Sequence, residues 1–258
     1  METISEVKKK QYELINQKQK SISDYINTFN KEQIESVLLS GSVSRGTFMP
    51  GTYGGAIDLT VFVKSQKNVN YDDLFGLDID DKIPGHFIKY KDDFFQIKPV
   101  SYDFIDKFAE NSEAEKFAFL ESRLIYDQEK KYQKAIELLK KQIVPDDIRR
   151  INKSAKGYMY YLINDYKVDR WKNRNAVLQL NNNLNISIQY AIKCLFYKNG
   201  KYYPAEDRAL YFSLELDQKP DNFESLLVDL QIIKNKKLSE YLRREKIFKD
   251  RLVKYIEE

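Results

Sequence analysis

Apolar residues near the start of the chain recur every three or four positions, which predicts an amphipathic helix over residues 3–29. The pattern then changes to short apolar runs rich in β-branched and aromatic residues, bounded by turn residues. These runs predict four strands, at residues 36–39, 57–63, 85–90 and 94–100. We expect no further strand after them.

Nearly all of the remaining chain has helical periodicity. The predicted helices cover residues 102–109, 113–121, 129–143, 146–167, 171–197, 206–216, 221–234 and 237–257. The helix over 171–197 has the clearest apolar stripe, and Asn199-Gly200 predicts its end. A change from mixed strands to helices alone predicts an α+β protein, with a small mixed-sheet domain over residues 1–125 and an all-helical domain over 126–258.

The amino-acid composition limits the cellular compartments and the kinds of site that the chain can have. The single cysteine, Cys194, excludes an internal disulfide and predicts a packed thiol in a reducing, cytoplasmic setting. A zinc site of the His/Cys type lacks ligands, because His86 is the single histidine. The N-terminus has no apolar stretch that fits a signal peptide or a membrane span, so we expect no membrane partner.

Charge gives weak guidance about partners. The 43 basic and 39 acidic residues leave a formal net charge of +4 along the whole chain. No basic tail or block indicates a nucleic-acid tether, so a nucleic-acid partner stays open but is less favoured than a small molecule.

Two segments carry the candidate chemistry: residues 38–46, LLSGSVSRG, and residues 57–63, IDLTVFV. Together they resemble the signature of the polymerase-beta-like nucleotidyltransferase superfamily, in which a strand ends in Gly-Ser, a helix begins, and the next strand carries Asp-x-Asp. The resemblance implies this fold in the N-terminal domain. It also implies a bound nucleoside triphosphate accompanied by Mg²⁺ or Mn²⁺.

The resemblance implies a role for each matched residue. Gly41 would let the backbone approach phosphate oxygens, and Ser42 would add a hydroxyl donor beside the amides of the following helix. Arg45, one turn later, would offer a planar cation to the same phosphates. Asp58 would be the catalytic acid that holds the metal ion.

The chain departs from the family pattern at the metal ligands. With the strand aligned on IDLTV, Asp58 takes the second aspartate position and Ala56 the first; in the other register Asp58 is first and Thr60 second. Either register leaves one carboxylate, and Gln96 stands where a third acid is expected. The segment between the two motifs is also longer than usual. Replacement oxygens would have to come from other acids: Asp92, Asp93, Glu121, Glu206 or Asp207.

A second resemblance lies in the helical half. Residues 171–174, 181–185 and 198–208 look like the C-terminal part of small-molecule and aminoglycoside-type nucleotidyltransferases, whose helical domain walls the cleft. By this likeness Glu206 and Asp207 would be metal ligands and Arg208 a phosphate clamp. The same three residues also fit an ordinary helix start, where acids complement the helix dipole.

Three functions stay open. The first is a metal-dependent enzyme that transfers a nucleoside monophosphate from a triphosphate to a hydroxyl of a small, antibiotic-like molecule. The second is a nucleotide-binding or regulatory module that has lost catalysis, as Ala56 and Gln96 indicate. The third is a nucleotidyltransferase acting on RNA such as tRNA, for which a basic, aromatic surface is expected.

Overall fold

The structure, a computed structural model, describes residues 4–50, 55–64, 75 and 87–258. The described residues contain one five-stranded sheet and many helices, which confirms the predicted α+β class. The strands are β1 (Ile34–Ser40), β2 (Ala56–Val63), β3 (Phe87–Tyr90), β4 (Asp93–Val100) and β5 (Arg123–Asp127). The helices are α1 (Ile4–Ile26), α2 (Gly41–Arg45), α3 (Asp103–Asp106), α4 (Glu113–Leu120), α5 (Lys131–Leu138), α6 (Val144–Ile163), α7 (Asp165–Lys172), α8 (Val177–Lys198), α9 (Glu206–Ser213), α10 (Phe223–Gln231), α11 (Leu238–Ile247) and α12 (Lys254–Glu257). A 3₁₀ turn (Phe108–Glu110) and π-helical turns (Leu139–Ile143 and Phe248–Val253) complete them.

The chain divides into two compact units, Met1–Leu139 and Lys140–Glu258. The predicted boundary between residues 125 and 126 lies inside β5, which pairs with β1 of the first unit. The second unit is helical throughout, apart from its connecting turns. We call them the sheet unit and the helical unit.

The expectation that strands end near residue 100 is wrong, because β5 follows α4. This strand runs antiparallel to β1 at one edge of the sheet. Its first three residues are exposed, so it lacks the alternation of buried and exposed positions that marks a half-buried strand. An edge strand of this kind leaves little trace in the sequence.

The sheet has the order β3-β4-β2-β1-β5. The β2–β4 pair is parallel, and the other neighbours are antiparallel. Alternate residues of β2, Ile57, Leu59 and Val61, are buried on the face that packs with Ile22 and Tyr25 of α1. The apolar stripe of α1 therefore covers this face of the sheet, and the two together form the hydrophobic core of the sheet unit.

The opposite face of the sheet has an aromatic part and a polar part. Phe62 of β2 lies among the rings of Tyr102, Phe119 and Tyr132, with centroid separations of 5.2–6.3 Å. Two and four residues earlier on the same face stand Thr60 and Asp58. The aromatic part anchors the sheet, and the polar part is where chemistry is expected.

In the helical unit, the stripe predicted on α8 is buried: Leu180, Leu184, Ile188, Ala191 and Leu195 are each at most 1% exposed. The helix ends as predicted at Asn199-Gly200. Gly200 has φ +68°, and the N–H of Lys201 donates to Phe196 O at 2.9 Å. Cys194 is buried and unpaired, as expected.

The prediction of a single helix over residues 146–167 is wrong at its C-terminal end. The helix stops at Ile163 because the Asn164 side chain caps a new helix, α7, by accepting from the N–H of Lys167 at 2.9 Å. In the parts of the chain that the structure describes, no helix combines the length and apolar character needed to cross a bilayer.

Candidate functional site

The Gly-Ser turn predicted at the end of β1 is present. Gly41 leaves the strand with φ +66°, and Gly46 ends α2 with φ +81°. Backbone bonds close the turn, from Thr47 N–H to Ser42 O at 2.9 Å and from Gly46 N–H to Val43 O at 3.4 Å. Positive φ at both ends explains why glycines flank this short helix.

Asp58 lies directly against this turn. Its register partner on β1 is Ser40, the residue before Gly41. A Cβ built on Gly41 would lie 1.8 Å from Oδ2 and 2.6 Å from Cγ of Asp58. The carboxylate therefore occupies the space that any side chain at position 41 would need. The structure thus brings together the predicted Gly41 and Asp58, with Ser42 next in the chain.

A row of hydroxyl groups supports the corner formed by the Gly41 turn and Asp58. The sequence analysis did not predict this row. Ser40 Oγ lies 2.9 Å from Thr60 Oγ1 and 2.9 Å from Ser122 Oγ, while Ser122 Oγ donates to Ala118 O at 2.8 Å. Because the Ser40 hydroxyl is engaged there, it makes no side-chain capping bond to α2. Thr60 occupies the second acid position of the alternative register, and its hydroxyl is part of this row.

The short helix α2 is also tied to the end of α4 and to β5. Ser44 Oγ donates to Glu121 O at 2.9 Å, and Arg123 Nη2 donates to Val43 O at 3.4 Å. The Arg45 guanidinium lies 6.0 Å from the centroid of the Phe117 ring. Arg45 is therefore half-buried beside α4, in the same turn as Gly41.

The three acid positions implied by the family resemblance share one face of the sheet. Ala56 and Asp58 are two residues apart on β2, and Gln96 on β4 is the register partner of Asp58. Asp58 is the single carboxylate among these three positions. Lys98, two residues beyond Gln96, pairs with Glu115 at 3.1 Å, and this bond holds the pKa of the Glu115 carboxyl below its usual value.

The proposed helper acids of the sheet unit differ in where they lie. Asp93 is on the α1 side of β4, with Phe95 and Ile97, and is ion-paired with Lys18. It therefore faces away from Asp58. Asp92 is exposed in the β3–β4 turn. The backbone of Glu121 touches α2, which makes it the helper candidate tied to the site by a described contact. Across the described residues, no three His, Cys, Asp or Glu side chains are arranged to hold a metal ion.

The three predicted residues of the helical unit form the first turn of α9. Arg208 binds Asp207 through two hydrogen bonds, Nε to Oδ1 at 3.1 Å and Nη2 to Oδ2 at 3.2 Å. This pairing lowers the pKa of the Asp207 carboxyl. Glu206 lies 3.7 Å from Lys193 Nζ, and all three residues of the turn are exposed. Two acids in the first turn of α9 fit the helix-start interpretation, although among the described residues no side chain caps the helix, and the roles of the three residues toward phosphate and metal stay predictions.

Packing explains other residues of the second resemblance. The guanidinium of Arg244, fully buried, donates to Asn181 Oδ1 at 2.6 Å, to Asn185 Oδ1 at 2.5 Å and to Leu230 O at 2.6 Å. Burial lowers the pKa of this guanidinium. The asparagine-rich stretch of α8 thus satisfies a buried cation inside the helical unit. His86, by contrast, lies outside the described residues.

Comparison with known proteins does not assign the chain to a family. No protein-family model matches the sequence, and no curated protein matches it. Among solved structures, the chain is similar to a nucleotidyltransferase-like protein from Exiguobacterium sibiricum, with 8% sequence identity and a TM-score of 0.42, over 95% of this chain and 74% of that one. A likeness at this level assigns neither a family nor an activity to the chain.

Proposed function

We propose that the sheet unit binds a nucleoside triphosphate with Mg²⁺ or Mn²⁺ and transfers its nucleoside monophosphate to a hydroxyl of a small molecule. The observation that supports this most is the contact between Gly41 and the Asp58 carboxylate. The missing side chain at Gly41 leaves room for this carboxylate, a hard-oxygen ligand of the kind that Mg²⁺ prefers, directly beside the Gly-Ser turn.

In the proposed reaction, the acceptor oxygen forms a bond to the α-phosphorus of the triphosphate. The bond from that phosphorus to the pyrophosphate oxygen breaks, and the hydroxyl proton passes to a base. Such a transfer depends on alignment and charge neutralisation. Gly41 and Ser42 would bind the phosphates, Arg45 would offset their charge, and Asp58 would hold the cation that neutralises the leaving pyrophosphate.

By the family resemblance, the helical unit would itself carry a phosphate clamp, Arg208, and metal ligands, Glu206 and Asp207. Their present contacts do not oppose this role. The Arg208–Asp207 pair is exposed, with 49% and 67% of the side chains accessible. Exposed pairs of this kind are weak, so a phosphate or a cation can open one at little cost.

Label transfer tests the proposal. The protein is incubated with each α-³²P-labelled nucleoside triphosphate, Mg²⁺ or Mn²⁺, and a panel of aminoglycosides and polyols. Labelled product is expected with at least one acceptor. Asp58→Asn should reduce its rate on the order of 100-fold or more, because the cation loses its strand ligand.

The matched control is Asp106→Asn, which removes an exposed acid of α3 in the same unit. It should transfer label at the wild-type rate. Wild-type activity in Asp58→Asn would contradict the metal assignment.

A second candidate is a module that binds the triphosphate without transferring it. The pairing of Asp58 with Gln96, and the position of Ala56 on the same face, favour this alternative. A site that has lost two of three metal ligands keeps its phosphate turn but loses most of its rate enhancement. Calorimetry separates the two: triphosphate binding of equal strength with EDTA and with Mg²⁺, and no labelled product, would indicate the binding module.

A further inference from the structure

Three tyrosines and two lysines form a continuous run on the helical unit, which we call the tyrosine ladder. Lys167 Nζ lies 3.3 Å from the ring centroid of Tyr161, whose centroid is 6.1 Å from that of Tyr158. Tyr158 stacks on Tyr190 at 5.2 Å with 24° between the ring planes, and Lys193 Nζ lies 5.4 Å from the Tyr190 centroid. Each aromatic ring thus has a ring or a cation beside it.

The ladder lies at the surface. Tyr158 and Tyr161 are each 54% exposed, and Tyr190 is half-buried. Aromatic side chains usually bury most of their area, so stacked rings that remain accessible offer π-faces to a ligand. Lys193 is held in place by the buried Tyr203 ring, 4.5 Å from its ammonium group.

Charge is divided unequally between the two units. Residues 140–258 contain 24 basic and 16 acidic residues, whereas residues 1–139 contain 19 basic and 23 acidic. The helical unit therefore has a formal net charge of +8 and the sheet unit a formal net charge of −4. The small net charge of the whole chain hides a strongly basic unit, and a basic unit attracts a polyanion.

We propose that the tyrosine ladder binds an unpaired stretch of RNA. Successive bases would stack on Tyr158, Tyr161 and Tyr190, and Lys167 and Lys193 would face the phosphates between them. Sequence-tolerant binding of single strands combines these two elements, aromatic platforms and a positive surface along the backbone. The proposal does not depend on nucleotidyl transfer in the sheet unit.

One acidic contact lies at the end of the ladder. Glu206 is 3.7 Å from Lys193 Nζ, and its side chain is 69% exposed. An incoming phosphate would replace it at little cost, because exposed ion pairs are weak.

The chemistry of the ladder favours RNA over DNA. All three rings are tyrosines, so a stacked base also has a phenolic hydroxyl nearby. That hydroxyl can donate to or accept from the ribose 2′-hydroxyl, which DNA lacks.

Fluorescence anisotropy with the full chain tests the proposal. The probe is a labelled oligouridylate, measured with EDTA and without nucleotide so that the result is separate from nucleotidyl transfer. We expect saturable binding that weakens as salt rises. Tyr158→Ala should weaken binding by about 10-fold, whereas Tyr158→Phe should keep the stacking and lose part of the preference for RNA over DNA, because the ring stays and the phenolic hydroxyl is removed.

Three controls accompany the variants. Tyr12→Ala removes a tyrosine that is 69% exposed in the sheet unit and should bind as wild type does. An abasic oligonucleotide of equal length and the DNA counterpart should both bind more weakly. Wild-type affinity in Tyr158→Ala with its melting temperature preserved, or equal affinity for the abasic strand, would overturn the stacking site. Equal affinity for DNA would overturn the assignment to RNA.

Discussion

Replacing Gly41 with alanine perturbs the corner on which the candidate site is built. The new Cβ would lie 1.8 Å from Oδ2 of Asp58, and φ at this position is +66°. The left-handed backbone alone costs a residue with a side chain about 1–2 kcal/mol. Displacing the Asp58 carboxylate adds to this, so we expect Gly41→Ala to lower the free energy of unfolding by about 2–4 kcal/mol in total.

Gly46→Ala is the matched control, because it isolates the backbone contribution. Gly46 also has positive φ, +81°, but within the described residues no atom beyond its chain neighbours lies within 4 Å of its added Cβ. Its substitution should therefore cost about 1–2 kcal/mol, the conformational part alone. The difference between the two variants measures the contact with Asp58.

A double-mutant cycle identifies that contact directly. Asp58→Gly removes the three atoms nearest to the new Cβ, which are Oδ2, Cγ and, at 3.0 Å, Cβ of Asp58. We expect a favourable coupling of about 1–2 kcal/mol between Gly41→Ala and Asp58→Gly. Urea unfolding followed by far-UV circular dichroism gives these energies, and amide exchange in β1 and β2 locates the loss. Additive effects, or equal costs at Gly41 and Gly46, would refute the packed corner.

The remaining predictions concern other groups. Ser40→Ala should lower the free energy of unfolding by about 1–2 kcal/mol in urea, because Thr60 and Ser122 each lose a buried partner; an unchanged urea midpoint would contradict this. Burial raises the pKa of the Cys194 thiol to about 12, so a disulfide reagent at pH 8 should label it in the unfolded protein and not in the folded one. The pKa of the Glu240 carboxyl is lowered from 4.5 to about 2 by a guanidinium hydrogen bond. Its stabilising contribution is therefore present above about pH 4.5 and lost as pH falls toward 2, and Glu240→Gln should flatten that part of an acid-unfolding curve.

The Gly41–Asp58 contact was predictable because both residues belong to a short motif. The family resemblance of the Gly-Ser turn and the following strand implies that Gly41 and Asp58 serve one site, and the alternation of side chains places Asp58 on one face of its strand. The helical stripe of α8 was predictable for a similar reason, since its period is regular over 22 residues.

Features that depend on distant partners were not predictable. Ser122 meets Ser40 across 82 positions of sequence, and nothing near either serine signals the contact. The strand β5 forms through pairing with β1, while its own residues are exposed. The charge division, by contrast, was readable from the sequence: the predicted boundary at 125/126 already gives net charges of −4 and +8, and it was missed because the charge was summed over the whole chain.

The central claim is that the Gly41 turn and the Asp58 carboxylate together bind a metal-bound triphosphate. Isothermal titration of the protein with the Mg²⁺ complexes of ATP, GTP, CTP and UTP in turn tests it most directly. The account predicts saturable binding of at least one of them to the wild type, and loss of that binding in a folded Asp58→Asn variant. No binding of any triphosphate, or equal binding by the variant in the presence of Mg²⁺, would contradict it.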